Sequence, residues 1–232
     1  MRVARVLTNE TCNQGCRFCD ARRPAEQPAF VRPAAVAARI DAALAAGAHE
    51  LVLTGGEPTM RRDLAALVRH AKRRGAARVV LETNATLITD ASARELADAG
   101  LDLARVHLPA AGARADAITR DPGGSEAALT GLRALIAAAI PLEIAAPIVR
   151  DNLGDLPALP ARLRAHAIPA QALVAAIPTD APDASTLAPL ADAARALASL
   201  DLAARAAAIP QRLDLAAAIP PCALERPQEI GR

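Results

Sequence analysis

Residues 11–19 read TCNQGCRFC and follow a short apolar run, Val3–Leu7, that predicts a β-strand. Three cysteines, Cys12, Cys16 and Cys19, stand in this stretch with the spacing C-x3-C-x2-C. Three thiolates on one short loop can hold three irons of a [4Fe–4S] cluster and leave the fourth iron open, because cysteine thiolates hold such clusters at short local spacings. Three protein ligands beside one open position are the arrangement of a catalytic metal site.

Length and composition favour one α/β domain over residues 1–232 that spans no membrane. The chain is long enough for a sizeable core, and no linker-like stretch divides it. We expect the tail from about residue 217 to be the start of a missing or reduced extension. The net charge of +2 gives no reason to expect a nucleic-acid or membrane partner, and only two aromatic residues are present to stack on bases.

The cysteine count and the N-terminus indicate the compartment. Three of the four cysteines crowd into eight residues, a spacing that suits metal better than a disulfide framework. The N-terminus enters a charged strand with no apolar signal-peptide core, and no run of ~18 apolar residues follows. We therefore expect a cytoplasmic protein.

Short apolar runs alternate with longer amphipathic stretches along the chain. The predicted strands are Val3–Leu7, Glu50–Thr54, Arg78–Thr83, Leu103–Leu108, Leu142–Val149, Gln171–Ile177 and Gln211–Ala216. The predicted helices are Pro33–Ala46, Asp63–Arg74, Asp90–Ala99, Ser125–Ala138, Asp155–His166 and Pro189–Ala207. Pro33 suits the first turn of its helix, Thr89 or Asp90 is expected to cap the third helix, and Ser125 the fourth. Strands alternating with helices of this length indicate βαβ units and a parallel sheet. Six such units favour a (β/α)6 partial TIM-like barrel, whose functional residues lie on the loops after the strands.

The ends of the helices differ between the two halves of the chain. Glycine follows each of the first three helices, whereas Ala139, Ala167 and Ala208 stand at the corresponding later positions. A left-handed conformation costs alanine roughly 1 kcal/mol. We therefore expect the second half to be the less stable one, and Ala139→Gly to raise the melting temperature.

A second motif, TGGEP at residues 54–58, lies between a predicted strand and a predicted helix. Two adjacent glycines let the backbone come close to a ligand and take unusual dihedral angles. The carbonyl groups of such a turn can accept hydrogen bonds from an ammonium group. Glu57 can either hold the turn or place a negative charge near that ammonium. Alone, the motif is also compatible with a simple turn.

The cysteine spacing with Phe18 before the third cysteine, taken together with the TGGEP motif, resembles the radical S-adenosylmethionine (radical SAM) superfamily. The resemblance runs from Val3 to about Cys222 and is closest to the branch of molybdenum-cofactor cyclases and peptide maturases, without their multi-cysteine C-terminal extension. It implies a partial barrel, a [4Fe–4S] cluster on Cys12, Cys16 and Cys19, and reductive cleavage of SAM. The resulting 5′-deoxyadenosyl radical would abstract hydrogen from a peptide or small metabolite. An external flavodoxin or ferredoxin would supply the electron.

The resemblance also implies a set of SAM-binding residues: Phe18, Gly55, Gly56, Glu57, Pro58, Asn84, His107 and Arg150. The glycine motif would bind the methionyl amine, and Phe18 would pack beside the adenine unless it belongs to the core. Asn84 would line the SAM pocket or cap its own turn, in a stretch where the family's Thr-Asn-Gly is replaced by Thr-Asn-Ala.

Two of these residues and one neighbour carry further alternatives. His107 stands where relatives have a small hydroxyl residue, and is either a hydrogen-bonding group or a half-buried histidine. Arg150 would pair with the SAM carboxylate or be a solvated loop charge. Asn152 is expected to cap the helix that follows it.

Other classes of protein remain open. The chain could be a non-catalytic iron–sulfur electron carrier, a degenerate family member, or a zinc-binding module in which Cys222 or a histidine completes the site. Gly55, Gly56 and Glu57 argue against a carrier, which needs no methionine site. Cys222 is a small core or surface residue, a ligand of a second cluster, a hydrogen-atom donor or part of an extension.

Overall fold

The computed structural model describes residues 2–21, 30–176, 178 and 181–213. They fall into two compact units. The first is built from the described residues of Met1–Gly15, Ala21–Val106 and Glu126–Pro141, and the second from those of Cys16–Asp20, His107–Ser125 and Leu142–Arg232. Cys222 lies outside the described residues.

Strands and helices alternate as predicted, with most ends within two residues of the expected positions. The strands are β1 Val3–Asn9, β2 Glu50–Gly55, β3 Arg78–Thr83, β4 Leu103–His107, β5 Leu142–Pro147, β6 Ala170–Ala176 and β7 Gln211–Leu213. The α-helices are α1 Pro33–Ala45, α2 Leu64–Arg73, α3 Asp90–Asp98, α4 Ala113–Thr119, α5 Gly124–Ala137, α6 Leu159–Ala165 and α7 Leu190–Ala206. Helix α4 was not predicted, and the helix expected from Asp155 begins as a 3₁₀ turn, Leu156–Ala158.

The first unit contains four parallel strands in the order β1-β2-β3-β4. Leu7 pairs with Thr54, and Leu53 pairs with Leu81. The carboxyl ends of these strands therefore reach the same edge of the sheet, where the cysteine stretch and the TGGEP motif begin. Helix α1 contacts β1 and α2, and α2 contacts β3.

The core of the first unit is aliphatic. Val52, Val80 and Leu103 form one buried cluster, and the alternate residues Leu51 and Leu81 have no exposed surface. Strands of a parallel sheet are covered on both faces and read as nearly continuous apolar runs. This explains why the strands can be located from the sequence although it contains only two aromatic residues.

The second unit contains β5, β6 and β7, which are also parallel. Helix α7 contacts α6 and β7. Asn152 is fully buried here, and its Nδ2 donates to the carbonyl groups of Pro109 at 2.7 Å and Pro147 at 2.6 Å. The expectation that Asn152 caps the following helix is wrong, because its amide is occupied in joining the segments after β4 and β5.

Two predicted helix starts are confirmed and one is wrong. Pro33 opens α1, and Thr89 caps α3 in a capping box with Ser92. Helix α5 instead begins at Gly124, so Ser125 is not its N-cap. Asp116 accepts from the Ser125 N–H, and also from that of Gly123, each at 2.8 Å.

The alanines after the later helices have the predicted left-handed backbone. The φ angles are 58° at Ala139, 53° at Ala167 and 55° at Ala208. A fourth alanine, Ala85, has φ 60° immediately after Asn84. Left-handed alanine is strained by the contact of Cβ with the following carbonyl group.

Among the described residues, no helix is both long enough and apolar enough to cross a membrane.

Candidate functional site

The loop after β1 and the turn after β2 are joined through their backbones. We call residues 11–19 the cysteine loop and residues 54–58 the glycine turn. The Gly56 N–H donates to the carbonyl group of Asn9, and the Glu57 N–H donates to that of Thr11, both at 2.8 Å. The start of the cysteine loop is thus fixed against the glycine turn.

Both glycines are required by this close approach. A Cβ atom on Gly55 would lie 2.2 Å from the Asn9 carbonyl oxygen, and one on Gly56 would lie 2.0 Å from that of Thr11. Gly55 also has φ 136°, which side chains rarely allow. The unusual dihedral angle expected of this pair is confirmed at Gly55, and the backbone that approaches the two glycines is that of Asn9 and Thr11. The expected approach of this turn to a ligand stays a prediction.

Glu57 holds the turn from inside. Its side chain is buried, and its Oε1 accepts from the Thr59 N–H at 2.9 Å and the Thr83 hydroxyl at 2.6 Å, while its Oε2 accepts from the Asn84 N–H at 2.7 Å. Burial raises the pKa of Glu57, and the hydrogen bonds from Thr59, Thr83 and Asn84 oppose that rise. Glu57 therefore connects the glycine turn to the end of β3, as the first of its two predicted roles requires.

Asn9 is a site residue that sequence reasoning missed. It is fully buried at the end of β1, and its Nδ2 donates to the carbonyl groups of Thr11 at 2.8 Å and Glu57 at 3.2 Å. The amide thus ties the cysteine loop to the glycine turn a second time. Its position at the end of a predicted strand, directly before the cysteines, was the available signal.

Three polar side chains form a closed hydrogen-bonded ring beside Cys12. The Asn13 Nδ2 donates to the Thr86 Oγ1 at 2.8 Å, the Thr86 Oγ1 donates to the Asn84 Oδ1 at 2.9 Å, and the Asn84 Nδ2 donates to the Asn13 Oδ1 at 3.0 Å. We call this group the Asn13–Thr86–Asn84 ring. The Asn84 Oδ1 also accepts from the Thr86 N–H at 3.0 Å, so Asn84 does cap its own turn.

Two N–H groups are directed at the sulfur of Cys12. The Gln14 backbone N–H donates to the Cys12 Sγ at 3.4 Å, and the Asn84 Nδ2 lies 3.9 Å from it. Hydrogen bonds of this kind favour the thiolate, which is the form that binds iron. The surroundings of Cys12 therefore fit a cluster ligand.

The second half of the cysteine loop lies in the second unit. The Cys19 N–H donates to the Cys16 carbonyl group at 3.2 Å, and Phe18 packs against a buried apolar cluster that includes Ile118 and Val149. Of the predicted cysteine ligands, Cys12 and Cys16 are partly exposed and Cys19 is exposed, and none is in a disulfide. Phe18 thus has the core contacts of one of its two predicted roles.

Arg17 anchors this half of the loop and was missed in the sequence. Its Nη2 donates to the Asp183 Oδ2 at 2.8 Å and to the Ser185 Oγ at 3.0 Å, and its Nη1 lies 3.6 Å from the Asp151 Oδ2. Hydrogen bonds from Ser185 and Arg17 lower the pKa of Asp183 to about 2. More than 160 residues separate Arg17 from Asp183, so no local pattern could indicate the pair.

The remaining predicted residues lie at the ends of other strands. Pro58 is buried and opens a 3₁₀ turn, Pro58–Met60. His107 is exposed at the end of β4. Arg150 is exposed, and its Nε donates to the Ser185 carbonyl group at 3.0 Å.

A charged group lies on the sheet of the first unit. The Glu82 Oε1 accepts from Arg5 at 3.0 Å and from Arg105 at 2.9 Å. The side chains of Glu82 and Arg105 are largely buried, whereas that of Arg5 is 56% exposed. Two guanidinium groups thus share one carboxylate in this Arg5–Glu82–Arg105 group.

No three histidine, cysteine or acidic side chains gather closely enough to hold a single metal ion within the part of the chain that the structure describes.

Sequence comparison links the chain to one superfamily. The profile of the Radical SAM superfamily matches residues 6–158. An AdoMet-dependent heme synthase of Oleidesulfovibrio alaskensis is 32% identical over 145 residues, which are 62% of this chain and 37% of that protein. A probable GTP 3′,8-cyclase of Sulfurisphaera tokodaii is 33% identical over 104 residues, which are 45% of this chain and 33% of that protein. The chain thus matches less than half of the length of these curated relatives.

Structural comparison gives the same fold. SuiB of Streptococcus suis bound to S-adenosylmethionine superposes with a TM-score of 0.72 at 15% sequence identity, over 91% of this chain and 49% of that one. SuiB bound to its precursor peptide SuiA gives a TM-score of 0.73 at the same identity, over 91% of this chain and 48% of that one. The predicted fold class, an α/β partial barrel, is confirmed. The chain therefore belongs to the radical SAM superfamily, whose enzymes use a [4Fe–4S] cluster and S-adenosylmethionine.

Proposed function

We propose that this chain cleaves S-adenosylmethionine reductively at a [4Fe–4S] cluster held by Cys12, Cys16 and Cys19. When bound, the cluster would supply one electron to the sulfonium of SAM. The bond from its sulfur to the 5′ carbon would then break to give methionine and a 5′-deoxyadenosyl radical, which would abstract a hydrogen atom from a substrate. The observation that carries the proposal is the attachment of the cysteine loop to the glycine turn through two 2.8 Å backbone hydrogen bonds. That attachment brings a ligand of the cluster next to the turn that would receive the methionyl group.

In this proposal the chain binds SAM mainly through backbone groups of the glycine turn. The Glu57 carboxylate already accepts hydrogen bonds from Thr59, Thr83 and Asn84, so its part is to hold the turn in shape. The ammonium group of SAM would then be bound by carbonyl groups of the turn, in which Gly55 and Gly56 are partly exposed. Pro58 fixes the direction in which the chain leaves the turn.

The other predicted contacts to SAM are also proposals, and each depends on a different observation. Arg150 is exposed and offers its guanidinium to a carboxylate, although its Nε is engaged by Ser185. His107 is exposed at the end of β4. Phe18 presents the part of its ring that does not pack against Val149 and its neighbours.

A small metabolite is the substrate class that we favour over a peptide. Two relatives above 30% identity are named for a heme synthase and a GTP cyclase, whereas the peptide-bound SuiB is only 15% identical and supports the fold alone. Deuterium transfer into 5′-deoxyadenosine from a panel of deuterated metabolites would identify the substrate.

The electron donor and the extent of the domain are also proposals. An external one-electron donor of the flavodoxin or ferredoxin type would reduce the cluster. The whole chain would act as one core domain, since the superfamily profile takes in residues from both compact units.

Anaerobic reconstitution with iron, sulfide, SAM and dithionite tests the proposal. We expect about four irons per chain, and equal amounts of 5′-deoxyadenosine and methionine. Replacing Cys12, Cys16 and Cys19 by alanine should abolish both products, whereas the matched variant Cys222→Ala should retain them. Wild-type protein that binds iron and sulfide but never cleaves SAM would be an electron carrier or a degenerate member, and colourless zinc-loaded protein would be a zinc module.

A further inference from the structure

We propose that Asn84 is a positioning residue for the cluster, and that its side-chain amide donates to the sulfur of Cys12 and raises the reduction potential of the cluster. This inference rests on the proposed function, since it assumes that Cys12 is a cluster ligand. It assigns Asn84 to the electron-transfer step, whereas the family resemblance would place it against SAM.

The orientation of the Asn84 amide is fixed by its partners. Its Oδ1 accepts from the Thr86 backbone N–H at 3.0 Å, and a backbone N–H can only donate. The NH₂ end of the amide must therefore face the other way, toward Asn13 and Cys12. The side chain is only 7% exposed, so solvent does not offer it another arrangement.

Each member of the Asn13–Thr86–Asn84 ring donates once and accepts once around the ring. With Asn84 fixed by the Thr86 N–H, one amide hydrogen of Asn84 is used by the Asn13 Oδ1 at 3.0 Å. The second hydrogen is left for the Cys12 Sγ, 3.9 Å from the Asn84 Nδ2. Hydrogen bonds that run in one direction around a closed ring reinforce one another, so the ring holds the donor in place.

The electrostatic effect has a definite sign. Reduction adds negative charge to the cluster and its thiolate ligands. An N–H donor stabilises the more negative state and so raises the potential, as hydrogen bonds to the sulfurs of such clusters do. The Gln14 N–H, 3.4 Å from the same sulfur, belongs to the backbone and cannot be removed by changing the side chain. Asn84 is therefore the donor to Cys12 that mutation can test.

The test is a redox titration of the reconstituted cluster, followed by electron paramagnetic resonance, in wild type, Asn84→Ala and Thr86→Val. Asn84→Ala should lower the midpoint potential by about 28–59 mV, a threefold to tenfold change in the one-electron equilibrium constant at 59 mV per tenfold. Thr86→Val opens the ring, while the Thr86 N–H still orients the Asn84 amide, so it should shift the potential in the same direction by less. Ser92→Ala, which removes the hydrogen bond from the Thr89 N–H to the Ser92 Oγ in the capping box of α3 without touching Cys12, should leave the potential unchanged.

The outcomes separate this inference from the proposed function. Wild type that incorporates no cluster contradicts the proposed function. Wild type that cleaves SAM, with an unchanged potential in Asn84→Ala, overturns the role of Asn84 alone. If Asn84→Ala does not fold, Thr86→Val decides, and an unchanged or raised potential in that variant overturns the inference.

Discussion

The two halves of the cysteine loop are held by different kinds of contact. Near Cys12 the loop is joined to the glycine turn by short backbone hydrogen bonds and by the buried amide of Asn9. Near Cys16 and Cys19 it is held by the partly exposed ion pair of Arg17 with Asp183 and by the packing of Phe18. Salt and acid weaken exposed ion pairs much more than buried backbone hydrogen bonds. The difference implies that the Cys12 half is fixed by close backbone approach with buried hydrogen bonds, and the other half in part by an ion pair that responds to salt and acid.

The largest effect is expected at the glycine turn. Gly56→Ala places a Cβ atom 2.0 Å from the Thr11 carbonyl oxygen, so the turn and the cysteine loop must separate. We expect a loss of stability at or above the top of the roughly 1–3 kcal/mol range for overpacking, and loss of cluster incorporation. Urea denaturation and iron analysis measure both.

Gly154→Ala is the matched control, because a Cβ atom added at Gly154 would meet nothing within 4 Å beyond its chain neighbours, and its φ is not positive. That variant should retain its cluster and its stability. Equal iron content in Gly56→Ala and wild type would contradict the steric account.

Glu57→Gln tests the hydrogen bonds that support the half of the cysteine loop containing Cys12. Both carboxylate oxygens accept from backbone N–H groups, those of Thr59 and Asn84, so the NH₂ of a glutamine must face a donor in either orientation. The expected loss is about 1–3 kcal/mol, against no loss for the exposed Glu126→Gln. An unchanged urea midpoint would show that Glu57 does not hold the turn.

The pH dependence of stability gives the sign of the Glu57 contribution. Burial raises the folded-state pKa of Glu57, so its contribution is fully present below the ordinary pKa of 4.5 and decreases as the pH rises through the raised value. Glutamine at position 57 cannot ionise. The free energy of unfolding of Glu57→Gln should therefore decrease less than that of wild type as the pH rises. Parallel wild-type and variant curves from pH 4 to pH 9 would contradict the direction of the pKa shift.

A smaller effect is expected in the half of the cysteine loop that contains Cys16 and Cys19. Asp183→Asn removes the ion pair with Arg17, so hydrogen exchange near Arg17 should become faster and lose its dependence on salt. In wild type the pKa of Asp183 is lowered from 3.8 to about 2, so its contribution is constant above pH 5 and is lost as the pH falls toward 2. If hydrogen exchange near Arg17 in wild type does not depend on salt, the stated difference between the two halves of the cysteine loop is wrong.

The smallest effect, on the melting temperature, is expected outside the cysteine loop, at the end of helix α5. Ala139→Gly relieves a left-handed alanine at φ 58°, worth roughly 1 kcal/mol before the higher chain entropy of glycine is subtracted. The melting temperature should rise by at most about 2–4 °C, with cluster content unchanged. Arg133→Gly, at an exposed position inside the same helix, should lower it. A lower melting temperature for Ala139→Gly would contradict the strain argument.

The sequence was informative where a local pattern decides the structure. Strand positions followed from apolar runs, and the placement of the cysteine loop and the glycine turn at the same edge of the sheet followed from two motifs after successive parallel strands. The alanines at 139, 167 and 208 were recognisable because each stands where the earlier helices end in glycine.

Contacts between distant residues could not be predicted in this way. Asn13 and Thr86 are 73 residues apart, and either side chain alone is typical of a turn. Asn152 and Ser125 were misassigned as helix caps because short polar residues before a helix usually have that role. Asn152 instead joins two segments, and Asp116 supplies the acceptor for the first turn of α5.

The central claim is that the glycine turn brings the amino group of SAM to the iron that three cysteines leave open. Electron–nuclear double resonance on the reduced, reconstituted protein with SAM labelled by ¹⁵N at its amino group tests it most directly. The account predicts a ¹⁵N hyperfine coupling to the cluster in wild type and in Gly154→Ala. A paramagnetic cluster with excess labelled SAM and no ¹⁵N coupling would contradict it.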